Sequence, residues 1–172
     1  MKNDNKELKL LYKISQSISS RQQNVSELIN QVLQNIETDM GAIRSTLTLR
    51  NPNSDIFNIE ASSGLSNLEK QRGQYKLGEG VTGRVAKTAK PEIIKDISKS
   101  SDFLNRTKAR DNTHVAFICV PIIHNQEVIG TMSIDLPTDT DEILGSYALF
   151  LEHVAQILAS AVSATREEIE EK

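Results

Sequence analysis

Apolar residues recur at helical spacing near both ends of the chain and at alternating spacing in between. Over residues 8–18, Leu8, Leu11, Ile14 and Ile18 step by three and four, which predicts an N-terminal helix. A polar break over 19–23 precedes a second helix. Asn24 is its N-cap, with Glu27 three residues on in a capping-box spacing; Val25, Leu28, Ile29, Val32, Leu33 and Ile36 line one face, and Gly41 ends it. The period then changes to two. Thr46, Leu47, Thr48 and Leu49 alternate, a turn follows over 51–55, and residues 56–61 alternate again, which reads as a β-hairpin or meander pair.

A polar helical piece over 66–72 leads into the glycine-rich 77–83, a short helix over about 81–88, and a brief strand over 92–97. Residues 99–111 read as loop and short helix. Residues 115–123 and 127–135, around His124, Asn125 and Gln126, are rich in β-formers, and the first is apolar enough to be central in a sheet. From about Asp139 a long helix carries Ile143, Tyr147, Leu151, Val154, Leu158 and Ala161 on one seam. Strands in the middle and long helices at both ends argue for an α+β fold with a central antiparallel sheet.

At 172 residues, with 38% hydrophobic and 25% charged positions, the chain suits one soluble domain with a single core. One cysteine excludes an internal disulfide framework and a Cys-rich metal site, and fits a reducing compartment, by default the cytoplasm. The longest nearly unbroken apolar run, residues 115–123, is too short for a membrane span and wrongly placed for a signal peptide. The net charge of -3 is unevenly spread: between Arg84 and Arg110 eight basic residues face three acids, a net of +5. That segment is either a solvated lysine-rich surface or a face for a small anion or acidic partner, and its planar arginines suit carboxylates and phosphates.

Gly78, Gly80 and Gly83 satisfy G-x-G-x-x-G, but no buried parallel strand precedes them, and Pro91 cuts the following helix to about two turns. Arg84 and Val85 stand where a phosphate loop needs lysine and a hydroxyl. The glycines instead allow a tight entry into a short helix whose free N–H groups face a cavity, and these can hold an anion without catalysis. Cys119 sits in an apolar strand as an inert thiol, and His114 and His124, each five residues away, fall on the opposite face. His153 lies beside the seam of the last helix. No histidine or cysteine cluster has metal-ligand spacing. Asp135 is the only acid placed near a core, and no enzyme follows from it.

The run Tyr75-Lys76-Leu77-Gly78-Glu79-Gly80-Val81-Thr82-Gly83-Arg84-Val85, the later Phe103-Leu104-Asn105-Arg106-Thr107, and the strand pair through Pro121 and Asp135 resemble a GAF domain. More narrowly they are similar to the N-terminal GAF domain of NifA-type nitrogen-fixation activators. The resemblance implies a sensory module with terminal helices packed on one face of the sheet, where they dimerise, and a loop- and short-helix-roofed pocket on the other. It divides the chain into an N-terminal helix (1–20), the GAF domain (21–164) and the start of a charged signalling linker (165–172). In such activators an ATPase that remodels sigma-54 RNA polymerase and a DNA-binding domain follow; neither is in this chain, so a fragment of a longer activator or a stand-alone module is expected. This domain itself is expected to touch neither nucleic acid nor membrane.

The single cysteine departs from the redox and bilin-binding branches of the family, and the pattern of the cyclic-nucleotide binders is absent. With the +5 segment over the family's pocket roof, the expected ligand is a dicarboxylate such as 2-oxoglutarate. It would be received by Arg84, Arg106 and Arg110, the N–H groups of Gly80, Val81 and Thr82, and Phe103, with no metal or cofactor. The competing expectation is a module whose pocket is filled by its own side chains, whose arginines pair internally, and whose terminal helices and basic face bind a second copy and a PII-type or NifL-type regulator. A pocket of about 300 Å³ or more would favour the ligand.

Overall fold

The computed structural model describes residues 2–20, 24–111 and 114–170, with side chains described within 5–164. Among the described residues, five α-helices and six strands follow in the order α1 (Lys2–Ser19), α2 (Val25–Met40), β1 (Arg44–Arg50), β2 (Ile56–Ser63), α3 (Asn67–Arg72), β3 (Gln74–Lys76), α4 (Gly80–Thr88), β4 (Glu92–Ile94), β5 (Val115–His124), β6 (Glu127–Pro137) and α5 (Asp141–Glu170), with a 3-10 turn at Ile97–Lys99. The strands form one antiparallel sheet ordered β3-β2-β1-β6-β5-β4, so the first and last long strands meet at its centre.

Local chemistry explains most boundaries. The Asn24 carboxamide accepts from the Ser26 N–H, and Gly41 closes α2 in the left-handed region. The reciprocal capping box is formed at Ser66 and Glu69, at the start of α3. Asn125 and Gln126 both have positive φ, the requirement of the two-residue turn that joins β5 to β6.

One face of the sheet carries the main core. Leu47 and Leu49 of β1, Met132, Ile134 and Leu136 of β6, and Ala116, Ile118, Val120 and Ile122 of β5 pack under Leu28, Ile29, Val32, Leu33 and Ile36 of α2 and Leu144, Leu151, Val154, Leu158 and Val162 of α5. Helix α1 joins this core through Leu10 and Ile14, whereas Leu8, predicted on its apolar face, is 67% exposed. Leu151, Val154 and Leu158 of the predicted α5 seam are thus buried in the chain's own core. Residues 141–164 are long and apolar enough to cross a membrane, but many of the apolar side chains that make them so are core residues here.

A bulge in β2 opposes Leu47 to Ala61 and Thr48 to Ile59, leaving Glu60 as the extra residue; Ala61 therefore joins the helix-side core and Ile59 the other face. On that other face two smaller clusters lie apart: Phe57, Ile59, Tyr75 and Ala86, and Val81, Val85, Phe117 and Cys119. Strand β3 was not legible in the sequence because only Tyr75 of its three residues is buried. The strand predicted over 92–97 stops at Ile94, where Asp96 caps the 3-10 turn instead. Residues 100–111 form turns and no helix, correcting the short helix expected there. The charged stretch 166–172 has no described side chains, and its last two residues lie outside the described ones.

Candidate functional site

Between the two smaller clusters runs a polar strip. Alternation sends the even residues of β1 and Thr131, Ser133 and Asp135 of β6 away from the main core, and the register sets them opposite one another: Arg44 with Asp135, Thr46 with Ser133, Thr48 with Thr131. All but Arg44 are buried. The Thr48 and Thr131 hydroxyls meet at 2.6 Å, and the Thr131 N–H donates to Thr48 Oγ1 at 3.2 Å. A buried hydroxyl needs such a partner.

Residues 100–111 lie across the Arg44–Asp135 end of this strip as a strap. Arg110 donates from Nε and Nη2 to the two Asp135 oxygens at 2.7 and 2.8 Å, and its guanidinium sits 5.1 and 5.3 Å from the ring centres of Phe103 and Phe117. The Arg110 side chain is 8% exposed and that of Asp135 2%. Arg44 gives one guanidinium nitrogen to Asp135 Oδ2 at 3.0 Å and the other to the Ala109 carbonyl at 2.7 Å. Arg72 donates to the Thr107 carbonyl, and Asn105 to the Arg110 carbonyl. One carboxylate therefore faces two guanidiniums in a nearly dry site. Tyr75, buried close by, has its phenol pushed up by desolvation, an effect opposed by Arg110.

The glycine loop forms the neighbouring wall. Gly78 and Gly80 have positive φ, and a Cβ on Gly83 would lie 2.2 Å from the Lys76 carbonyl oxygen, so only glycine fits that close approach. The Lys76 N–H, and then Arg106, hold the Glu79 carboxyl below the usual range; Arg106 pairs directly with Glu79. Leu104 packs over Gly80 at the start of α4, and Val81 and Thr82 are buried.

The structure thus brings Phe103 and Arg110 together with Asp135, and places Arg106 at the entrance of α4 beside Gly80, Val81 and Thr82. Arg84 lies toward the β4 edge, bidentate to Glu92 and bound to Asp102 at 2.7 Å. All three predicted arginines are paired: Arg84 with Glu92 and Asp102, Arg106 with Glu79, and Arg110 with the Asp135 that Arg44 shares. Arg44, Arg72 and the hydroxyl strip escaped the sequence reading. The signal was the polar half of the alternation in β1 and β6, which looks like solvent-facing residues until the sheet order is known.

An open cleft of about 590 Å³ runs along β4 and the 3-10 turn, lined by Ile93, Lys95, Asp96, Lys99, His114 and Thr138 among others, and by none of the predicted site residues. Beside it the Ser98 hydroxyl donates to Asp96 at 2.6 Å, and His114 Nδ1 lies 2.8 Å from the same carboxylate and 3.2 Å from the Ser98 oxygen, so serine and histidine converge on one aspartate. Burial pushes the Cys119 thiol up to about 12, which leaves it protonated and unreactive.

Residues 22–163 match the family model described as GAF domain. The chain is 35% identical over 159 residues to the nitrogen fixation protein VnfA and 33% identical over 159 residues to AnfA, both of Azotobacter vinelandii; these alignments cover 90% and 91% of this chain but 30% of each relative. The chain thus spans about a third of the length of these relatives. Among solved structures, the A. Aeolicus nlh2 GAF domain in an inactive state superposes with a TM-score of 0.82 at 21% identity, covering 95% of this chain and 99% of that one. Free methionine-R-sulfoxide reductase of Neisseria meningitidis superposes at 0.77 and 18% identity over 94% and 91%, a likeness of fold alone. The matched residues, the six-stranded sheet and its two differently packed faces agree, and the chain belongs to the GAF domain family.

Proposed function

We propose that this chain is the signal-input domain of a nitrogen-fixation type, sigma-54-dependent activator, and that its input is a small anionic metabolite of the 2-oxoglutarate kind received beneath the strap. The carrying observation is the Arg44–Asp135–Arg110 cluster, where two guanidiniums share one buried carboxylate at the end of a hydroxyl-lined strip. A cation in excess at a desolvated site is stabilised by an added anion. Similarity to relatives named Nif-specific regulatory protein in Herbaspirillum seropedicae and Azospirillum brasilense supports the regulatory role. On this reading the ATPase and DNA-reading domains lie outside these 172 residues, and the domain works in the cytoplasm without touching nucleic acid. It pairs with a second copy through the outer surface of α1 and α5, where Leu8, Tyr12 and Leu149 are exposed. It regulates and does not catalyse.

Calorimetric titration of the purified chain with 2-oxoglutarate is the test: saturable heat supports the reading, and none at millimolar concentration removes it. A second reading, a ligand-free module that binds a second copy and a PII-type or NifL-type regulator, draws on the internal pairing of Arg84 and Arg106 and on a roomy cleft that neither of them lines. It expects no heat, but dimers by light scattering.

A further inference from the structure

The strap contains no helix or strand, so side chains hold it. Its attachments are Arg110 to Asp135, Arg44 to the Ala109 carbonyl, Arg72 to the Thr107 carbonyl, Arg106 to Glu79 and Asp102 to Arg84. The Arg106, Arg72 and Arg84 contacts are partly exposed, and exposed ion pairs hold little. The deeply buried anchor is Arg110 on Asp135. Moreover, Arg44 binds Asp135 with one nitrogen and the strap backbone with another, so Asp135 fixes both the strap's side chain and the group that grips its backbone.

We propose that Asp135 is a tethered competitor for the ligand, latching the strap when the site is empty. This rests on the anion-binding reading above. The closed cluster contains two cations and one anion. When a dicarboxylate enters, one of its carboxylates takes the two-nitrogen edge of Arg110 that Asp135 holds, and Asp135 keeps Arg44. One ligand carboxylate thereby turns the three-body cluster into two one-to-one pairs, and the ligand's second carboxylate, which leaves the site with one negative charge in excess, is left to hydroxyl donors. Thr46 and Ser133, next along the strip, present hydroxyls to the ligand's other end. Because Arg110, Ala109 and Thr107 belong to one short segment, the exchange moves the strap, and occupancy becomes a change of surface.

The test compares the parent chain with Asp135→Asn, which keeps the side-chain shape and removes its charge. Amide hydrogen exchange over residues 103–111 and calorimetry with 2-oxoglutarate and with inorganic phosphate are the readouts. The variant is expected to exchange at least about tenfold faster in the strap without ligand and to bind 2-oxoglutarate about tenfold more tightly. Exchange at the parental rate overturns the proposal, as does unchanged or weaker binding by the variant where the parent binds. If neither protein binds either anion while the strap loosens, the ligand reading falls and the latch stands. Should Asp135→Asn fail to fold by circular dichroism, Arg110→Gln replaces it, since it leaves Asp135 paired with Arg44. That variant must exchange faster in the strap and lose the parental 2-oxoglutarate heat, and slow exchange overturns the latch.

Discussion

Arg44 and Asp135 face one another across the two central strands, as Cα partners in the β1–β6 ladder, with Nη1 and Oδ2 3.0 Å apart. The same guanidinium reaches the Ala109 carbonyl, so the sheet and the strap are tied through one side chain. Groups 65 and 91 residues apart in the chain meet there.

The hydroxyl pair beside it is a measurable unit. Thr48→Val leaves the Thr131 hydroxyl and N–H without their partner in a buried place and is expected to cost about 1–3 kcal/mol. Thr48→Val with Thr131→Val removes both hydroxyls and is expected to cost less than the sum of the single changes. Urea unfolding of the four proteins measures the coupling, and strict additivity would remove it.

Two glycines are expected to respond with opposite signs. Gly83→Ala drives a Cβ against the Lys76 carbonyl oxygen, an immovable backbone atom, and is expected to destabilise by about 2–3 kcal/mol. Gly145→Ala, inside α5 with nothing within 4 Å of the new Cβ, is expected to stabilise by about 0.5–1 kcal/mol. Thermal or urea melts of each single variant decide the matter.

The Asp96 carboxyl is lowered to about 2, first by the Ser98 hydroxyl and then by His114. Its folded value lies below its unfolded one, so the stability it contributes is present above about pH 4 and is lost as the pH falls toward about 2. Stability measured against pH should therefore decline in the parent more steeply over this window than in Asp96→Asn. Parallel curves would show that the carboxylate is not held in this way.

Cys119 is expected to resist a disulfide reagent such as 5,5′-dithiobis(2-nitrobenzoate) at pH 8 in the folded chain, where burial keeps the thiol protonated. In 6 M guanidinium chloride it should react at once. Rapid native labelling would contradict the placement of Cys119 under α4.

Much of the architecture is legible in the amino-acid order. The helices α2 and α5 and the hairpin β5–β6 announce themselves because each buries a periodic set of apolar side chains. Strand β3 does not, since one tyrosine makes no period. The +5 segment was visible as charge but not as chemistry: Lys87, Lys90 and Lys99 are exposed, while Arg84, Arg106 and Arg110 are each committed to a carboxylate.

The amino-acid order alone determined that both terminal helices present an apolar face, that the glycine loop turns tightly into a short helix, and that one cysteine lies in a core strand. These follow from periods and steric limits that act over a few residues. Only the tertiary structure decided which charge meets which. The partners of Arg44 and Arg110 depend on β1 lying beside β6 and on residues 100–111 crossing the strip, and an ion pair is set by distance in space, which local sequence does not encode.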